Sequence, residues 1–256
     1  MHRTLSTLSR TTLALAGFLA GTAAFAQTAA PAEATPDYTL GFNVGAVTDY
    51  RFRGISQSRL KPALQGGIDF AHSSGFYVGF WGSTIRILKD IPGGRGPVEL
   101  DFYGGYKGKI NDDFAYDVGV LRYQYPRENF ATTPNTTELY GSVTYQIFTV
   151  KYSHSVGSET FGVANSRNSG YLEAAAAFDL GNGFSLTPHV GRQYFRNNGY
   201  ASYTDYSLAL GKDFGNGLSA FVSVVGTNAD KSFYASGANG KFLGKTGAVA
   251  GVKYSF

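Results

Sequence analysis

Apolar and polar residues alternate with a period of two through most of the chain. In the stretch 38–47, Tyr38, Leu40, Phe42, Val44 and Ala46 share one parity, and Thr39, Gly41, Asn43 and Gly45 share the other. The end of the sequence repeats the pattern, with Ala248, Ala250, Val252, Tyr254 and Phe256 set against Gly247, Val249, Gly251, Lys253 and Ser255. A period of two predicts strands with one face in apolar and the other in wetter surroundings. The sequence stops on Phe256 with no polar tail. On a free sheet edge that would invite association, whereas pairing with the first strand leaves no edge. The expected fold is an all-β, closed, transmembrane antiparallel β-barrel.

Short turns alternate with longer polar segments. The turns are His72 to Gly75, Asn111 to Asp113, the link at Gln146-Ile147, Leu180 to Gly183 and Phe214 to Gly217. Asn-Gly pairs supply the positive φ that tight hairpins need. DLGNGFSL (Asp179 to Leu186) and DFGNGLSA (Asp213 to Ala220) are near copies, one turn design used twice. The longer segments fall near 49–61, 89–96, 126–135, 155–168, 192–203 and 228–245. Together these connections predict about twelve strands, at ~18 residues per strand plus connection, with short periplasmic turns and longer outer loops. Phe70, Phe76, Phe114, Phe148, Phe178, Phe184, Phe214 and Phe256 flank the short turns on their strands' apolar parity. They predict an aromatic girdle at one membrane interface, which a soluble barrel or sandwich has no reason to build. Pro188 interrupts the apolar face of its strand and predicts a bulge, since proline donates nothing to a ladder.

Residues 1–26 read as a cleaved export signal: Arg3 and Arg10, the apolar run Leu13 to Ala20, then Ala24-Phe25-Ala26. That apolar run is too short to span a bilayer as a helix. Residues 27–37 read as an Ala/Pro-rich linker and 38–256 as one barrel domain, which places the chain in the bacterial outer membrane. Removing the signal lowers the formal net charge from +4 to +2, so nucleic-acid binding has little compositional support. Cysteine is absent despite export to a disulfide-permissive compartment, so stability must come from burial and closure.

On the inward parity lie Asp69, Glu99, Asp101, Lys107, Lys109, Asp117, Glu138, Lys151, Glu173, His189, Asp205 and Lys253, the candidate pore-lining set. Among their neighbours Gly41, Gly67, Gly79, Gly105, Gly119 and Gly251 are small, which predicts a narrow polar bore for small solutes or ions. The other reading is a plugged interior of paired charges. Carboxylates slightly outnumber lysines in the set, a weak preference for cations. Arginines and lysines dominate the outer loops, where they could bind lipopolysaccharide phosphates or be ordinary solvated charges. Catalytic, cofactor and metal signals are poor. His154, Ser155 and Glu159 loosely resemble the His/Ser/Glu set of outer-membrane lipid A deacylases, but no positioned base or oxyanion site is visible. A lipid-modifying hydrolase and a non-conducting structural or adhesive barrel are the rivals of a channel.

VTDYRFRGISQS (Val47 to Ser58) followed by KPALQGGIDFAHSSGFYVGFWGS (Lys61 to Ser83) resembles the opening signature of the TorF porin family. The resemblance implies an outer-membrane barrel, classed as a porin by inference, without an assigned substrate or catalytic residues. In this stretch Arg51 and Arg53 leave the first strand at the outer rim. They could fold inward as a constriction, with Gly54 permitting the reversal, or belong to a structural loop whose arginines pair with inward carboxylates. Phe256 with Tyr254 and Gly251 resembles, in part, the signal that bacterial barrel-assembly machinery reads.

Overall fold

The computed structural model describes residues 36–91 and 94–256. The expected signal peptide, 1–26, and all but the last two residues of the linker, 27–37, lie outside the described residues. In chain order the strands are β1 (Tyr38–Val47), β2 (Arg51–Phe52), β3 (Ile55–Ser56), β4 (Ala63–His72), β5 (Phe76–Thr84), β6 (Val98–Lys109), β7 (Phe114–Gln124), β8 (Thr136–Tyr145), β9 (Phe148–Ser155), β10 (Gly170–Ala176), β11 (Phe178–Gly181), β12 (Phe184–Tyr194), β13 (Tyr203–Gly215), β14 (Leu218–Thr227) and β15 (Gly247–Ser255). All but β2 and β3 form one antiparallel sheet, in which β1 pairs with β4 on one side and β15 on the other. β10 and β11 keep a single register against β12, with Ala175 opposite His189 and Phe178 opposite Leu186. They are one strand interrupted at Ala177, so the closed barrel has twelve strands, as expected. The Phe42 and Phe256 backbones exchange hydrogen bonds of 2.8 and 3.0 Å across the closing seam.

The outward parity is apolar: Leu40, Val44, Leu64, Leu139, Val150, Leu172, Leu208, Val222 and Val252 are all exposed. This band is the surface a membrane-spanning barrel presents to lipid. Among the described residues no helix is long and apolar enough to cross a membrane. At the short-turn rim Phe76, Phe114, Phe148, Phe178, Phe184, Phe214 and Phe256 are exposed, forming the expected girdle. Phe42 stacks on Phe256 there, and Tyr38 on Phe70.

The repeated turn folds alike in both copies. Asp179 and Asp213 each accept the backbone N–H two residues on at 2.8 Å, and Asn182 and Asn216 both adopt φ 52°. Pro188 corrects the expectation of a bulge. It pairs with Leu208 in unbroken register, and the irregularity falls instead on the neighbouring strand, where β10 lapses before β11 opposite the proline. A ring without an N–H leaves the carbonyl opposite it nothing to accept, so the ladder to β12 opens there, while on the other side the Ala177 N–H continues the β9 ladder by donating to Ile147.

Candidate functional site

The lumen divides into two halves. At the long-loop end, residues 48–62 do not project outward. The β2–β3 hairpin turns into the barrel, with Arg53 at φ 46° and Gly54 at φ 79° forming its tip. A side chain at Gly54 would meet Thr227 Cγ2 at 2.4 Å and Asp205 Cβ at 2.8 Å, so the tip abuts the wall at β13 and β14. Glycine is required there for both its φ and its size. Phe52 packs edge-on to Tyr123 of β7 and to Phe161. Ile55 lies with Leu243, Phe195 and Val163 in a second apolar cluster. Residues from every other long loop cover the hairpin, among them Leu88, Phe130, Phe161, Phe195 and Leu243.

Arg53 is the centre of this half. Its guanidinium, 1% exposed, donates to both Glu138 oxygens at 2.9 and 2.7 Å and to Gln193 Oε1 at 2.6 Å. The Tyr171 ring lies 4.1 Å from its Cζ. One side chain thus ties β8, β10 and β12 to a loop that leaves β1. Arg51 pairs with Asp49 and donates to the carbonyls of Gly54, Leu243 and Lys245, fastening the hairpin to the last long loop. Arg53 thus folds inward and pairs with the inward carboxylate of Glu138, whereas Arg51 pairs with Asp49 of its own loop. Beside them, Glu99 accepts from Tyr50 at 2.8 Å. Burial, then the Glu99 and Asp101 carboxylates, push the Tyr50 and Tyr125 phenols well above their ordinary value, so both stay protonated donors.

The short-turn half is built differently. Here five inward glycines face aromatic residues directly across the ladder: Gly67 and Trp81, Gly79 and Tyr103, Gly105 and Tyr77, Gly119 and Tyr140, Gly251 and Phe221. A Cβ on Gly79 would lie 2.4 Å from the Tyr103 ring, and one on Gly119 2.5 Å from the Tyr140 hydroxyl. These five glycines are therefore not the gaps that the pattern of small residues suggested, whereas Gly41 does have open space beside it. Each is a seat on which a ring lies along the wall instead of across the lumen. The hydroxyls then hold charge: Tyr103 donates to Asp69, and Tyr77 donates to Asp117 and meets Tyr140. Lys107 lies over the Tyr77 ring and Lys151 over Tyr140, at 5.4 and 4.4 Å.

All twelve candidate pore-lining residues project inward, but they divide between the halves. Glu99, Asp101, Glu138 and Asp205 are buried under the loops, whereas Lys107 and Lys109 are exposed near the short turns. Between these extremes His189 bridges Glu173 at 3.1 Å and Asp205 at 3.6 Å, and Tyr171 donates to Asp205 at 3.0 Å. Asp69, Asp117, Lys151 and Lys253 line the wall nearer the short-turn rim. Among the described residues no group of acids and histidines is arranged to hold a metal ion. His154 and Ser155 project to opposite faces of β9, His154 beside Tyr152 outside and Ser155 buried inside, so the deacylase-like pair does not assemble. The sequence reading passed over Tyr77, Tyr103, Tyr140, Tyr171 and Gln193. The first three were findable once register set each opposite a glycine.

A bacterial family of unknown function, Gcw_chp, matches residues 31–256. No curated protein sequence matches the chain. Among solved structures, a KdgM porin is similar at TM-score 0.55 and 10% identity, over 84% of this chain and 99% of that one. A KdgM porin in complex with disordered oligogalacturonate gives 0.53 at 9%, covering 85% and 98%. A NanC porin gives 0.51 at 11%, covering 85% and 99%. At these identities the likeness shows the fold.

Proposed function

The chain belongs to the Gcw_chp family of bacterial proteins, and we propose that it is an outer-membrane, porin-like passive channel for small hydrophilic solutes or ions, narrowed at its outer mouth by the β2–β3 hairpin. The observation that carries this reading is the short-turn half of the lumen. Its rings lie along the wall over glycines, and its charges are presented around the space so left. The fold shared with KdgM and NanC porins supports it, as does the TorF-like signature in Val47 to Ser58. In this proposal Asp69, Lys107, Asp117, Lys151, Glu173, His189 and Lys253 line the path, and Arg51 and Arg53 form the constriction. Export of residues 1–26 as a signal peptide, and assembly guided by Gly251, Tyr254 and Phe256, complete the picture.

Planar-bilayer recording tests it. The wild type should give small, weakly selective steps whose selectivity fades with salt, because screening shortens the reach of wall charges. Replacing Arg51 and Arg53 together with Ala should raise conductance and shift selectivity toward cations, since it removes two positive charges beside Asp49 and Glu138. A second reading, a non-conducting structural barrel, is favoured by the apolar packing of the loops around Phe52 and Ile55. Folded protein that gives no steps, even with residues 51–56 replaced by a short polar linker, would establish that reading instead.

A further inference from the structure

Outside the barrel, where β1, β4 and β5 reach the long-loop rim, a groove of about 580 Å³ opens on the outward face. On its floor Leu64 stands between two small side chains, Ala46 and Thr84. All three share the outward parity, and Leu64 is 65% exposed, continuing the apolar column of Val44 and Ile68. Above this floor the groove is lined by Arg59, Arg86 and Lys89. Arg59 is held by both oxygens of Asp90. Arg86 and Lys89 are exposed, and among the described residues no carboxylate pairs with either. Asp90, next to Lys89 in sequence, is already engaged by Arg59 and Ser236. Two uncompensated cations therefore stand directly over an apolar floor on the face that meets lipid.

We propose that this groove binds one phosphate-bearing lipid of the outer leaflet, its phosphate between Arg86 and Lys89 and an acyl chain along Leu64 and Ala46. Charge complementarity selects the headgroup, and the apolar floor distinguishes a lipid from a free anion. Cations set one step above the hydrocarbon boundary match the order of groups in such a lipid. The inference requires that this rim meet the outer leaflet. It does not require that the barrel conduct, so recordings without steps would leave it standing.

The test is native mass spectrometry of the purified barrel in detergent, with bisphosphorylated lipid A and with lipid A lacking phosphate. The wild type should retain the bisphosphorylated form at least about 10-fold better, from roughly one favourable contact per cation. R86A/K89A should lose that preference while keeping the wild-type shift between unheated and boiled gels, and inorganic phosphate should not displace the lipid. Equal retention of the two lipids by the wild type would overturn the proposal, as would displacement by inorganic phosphate or undiminished preference in a folded double variant. Should R86A/K89A fail to fold, the wild-type comparison of the two lipids decides alone.

Discussion

The two halves of the lumen solve one problem in opposite ways. A twelve-stranded barrel encloses more space than its wall side chains fill unaided. At the long-loop end the space is filled by backbone: a hairpin enters, and every other long loop closes over it with apolar residues. At the short-turn end the largest side chains are folded onto the wall, each over a glycine on the next strand. The same residue type serves both arrangements. Tyr123 and Tyr171 are wholly buried partners of the hairpin, whereas Tyr77 and Tyr140 anchor charges on the wall. Tyr171 also lies over a glycine, Gly191, so what separates the two sets is contact with the hairpin, which Tyr171 makes with Arg53 and Tyr123 with Phe52.

The difference should appear most strongly in the central ion pair. Glu138→Ala leaves Arg53 buried without its carboxylate and should cost roughly 3–5 kcal/mol, read as a lower temperature for loss of the folded gel band. Arg53→Met with Glu138→Met should recover most of that loss, because an apolar replacement of a buried pair is often neutral. A harmless single substitution would mean that this half is wet. In the other half, Gly119→Val should cost roughly 1–3 kcal/mol by displacing the Tyr140 ring, and Tyr140→Ala in the same chain should relieve only part of it, because the new side chain also meets the Gly104 carbonyl oxygen. If the displaced ring swings into the lumen, single-channel conductance should fall in Gly119→Val and return in the double variant. Hydroxyl removal compares the halves directly. Tyr171→Phe should cost roughly 1–3 kcal/mol by stranding buried Asp205. Tyr103→Phe should cost about 1 kcal/mol or less, where solvent can replace the lost donor. The smallest effects belong outside the lumen: Asp179→Ala and Asp213→Ala should each cost about 0.5–1 kcal/mol through the lost turn hydrogen bond, and equally, since the two turns are copies.

The wall was legible in the sequence and the contents of the lumen were not. Strand parity, the turns at Asn182 and Asn216 and the phenylalanine girdle are local signals, each written within a few residues. Parity also placed Glu138, His189 and Asp205 inside. It could not tell that Glu138 faces Arg53, because that contact joins a loop to a strand 85 residues later. The glycines mislead for the same reason. Gly79 reads as a gap until register sets Tyr103 across from it. Pro188 was located correctly but its consequence was assigned to the wrong strand, since a missing N–H is felt by the partner that would have accepted it.

The inward hairpin reverses the usual distribution of mutational tolerance. Loops commonly absorb substitutions and insertions while the framework resists them. Here Ser56 and Ser58 are almost fully enclosed, and Ser56, Ser58 and Arg51 all engage Asp49. A library scanned across this chain should therefore find residues 49–58 among its most restrictive positions. Exchanges among apolar residues on the exposed outward face, such as Val222 or Leu139, should pass almost unnoticed. In the outer half of this barrel, the loop that leaves β1 is the core.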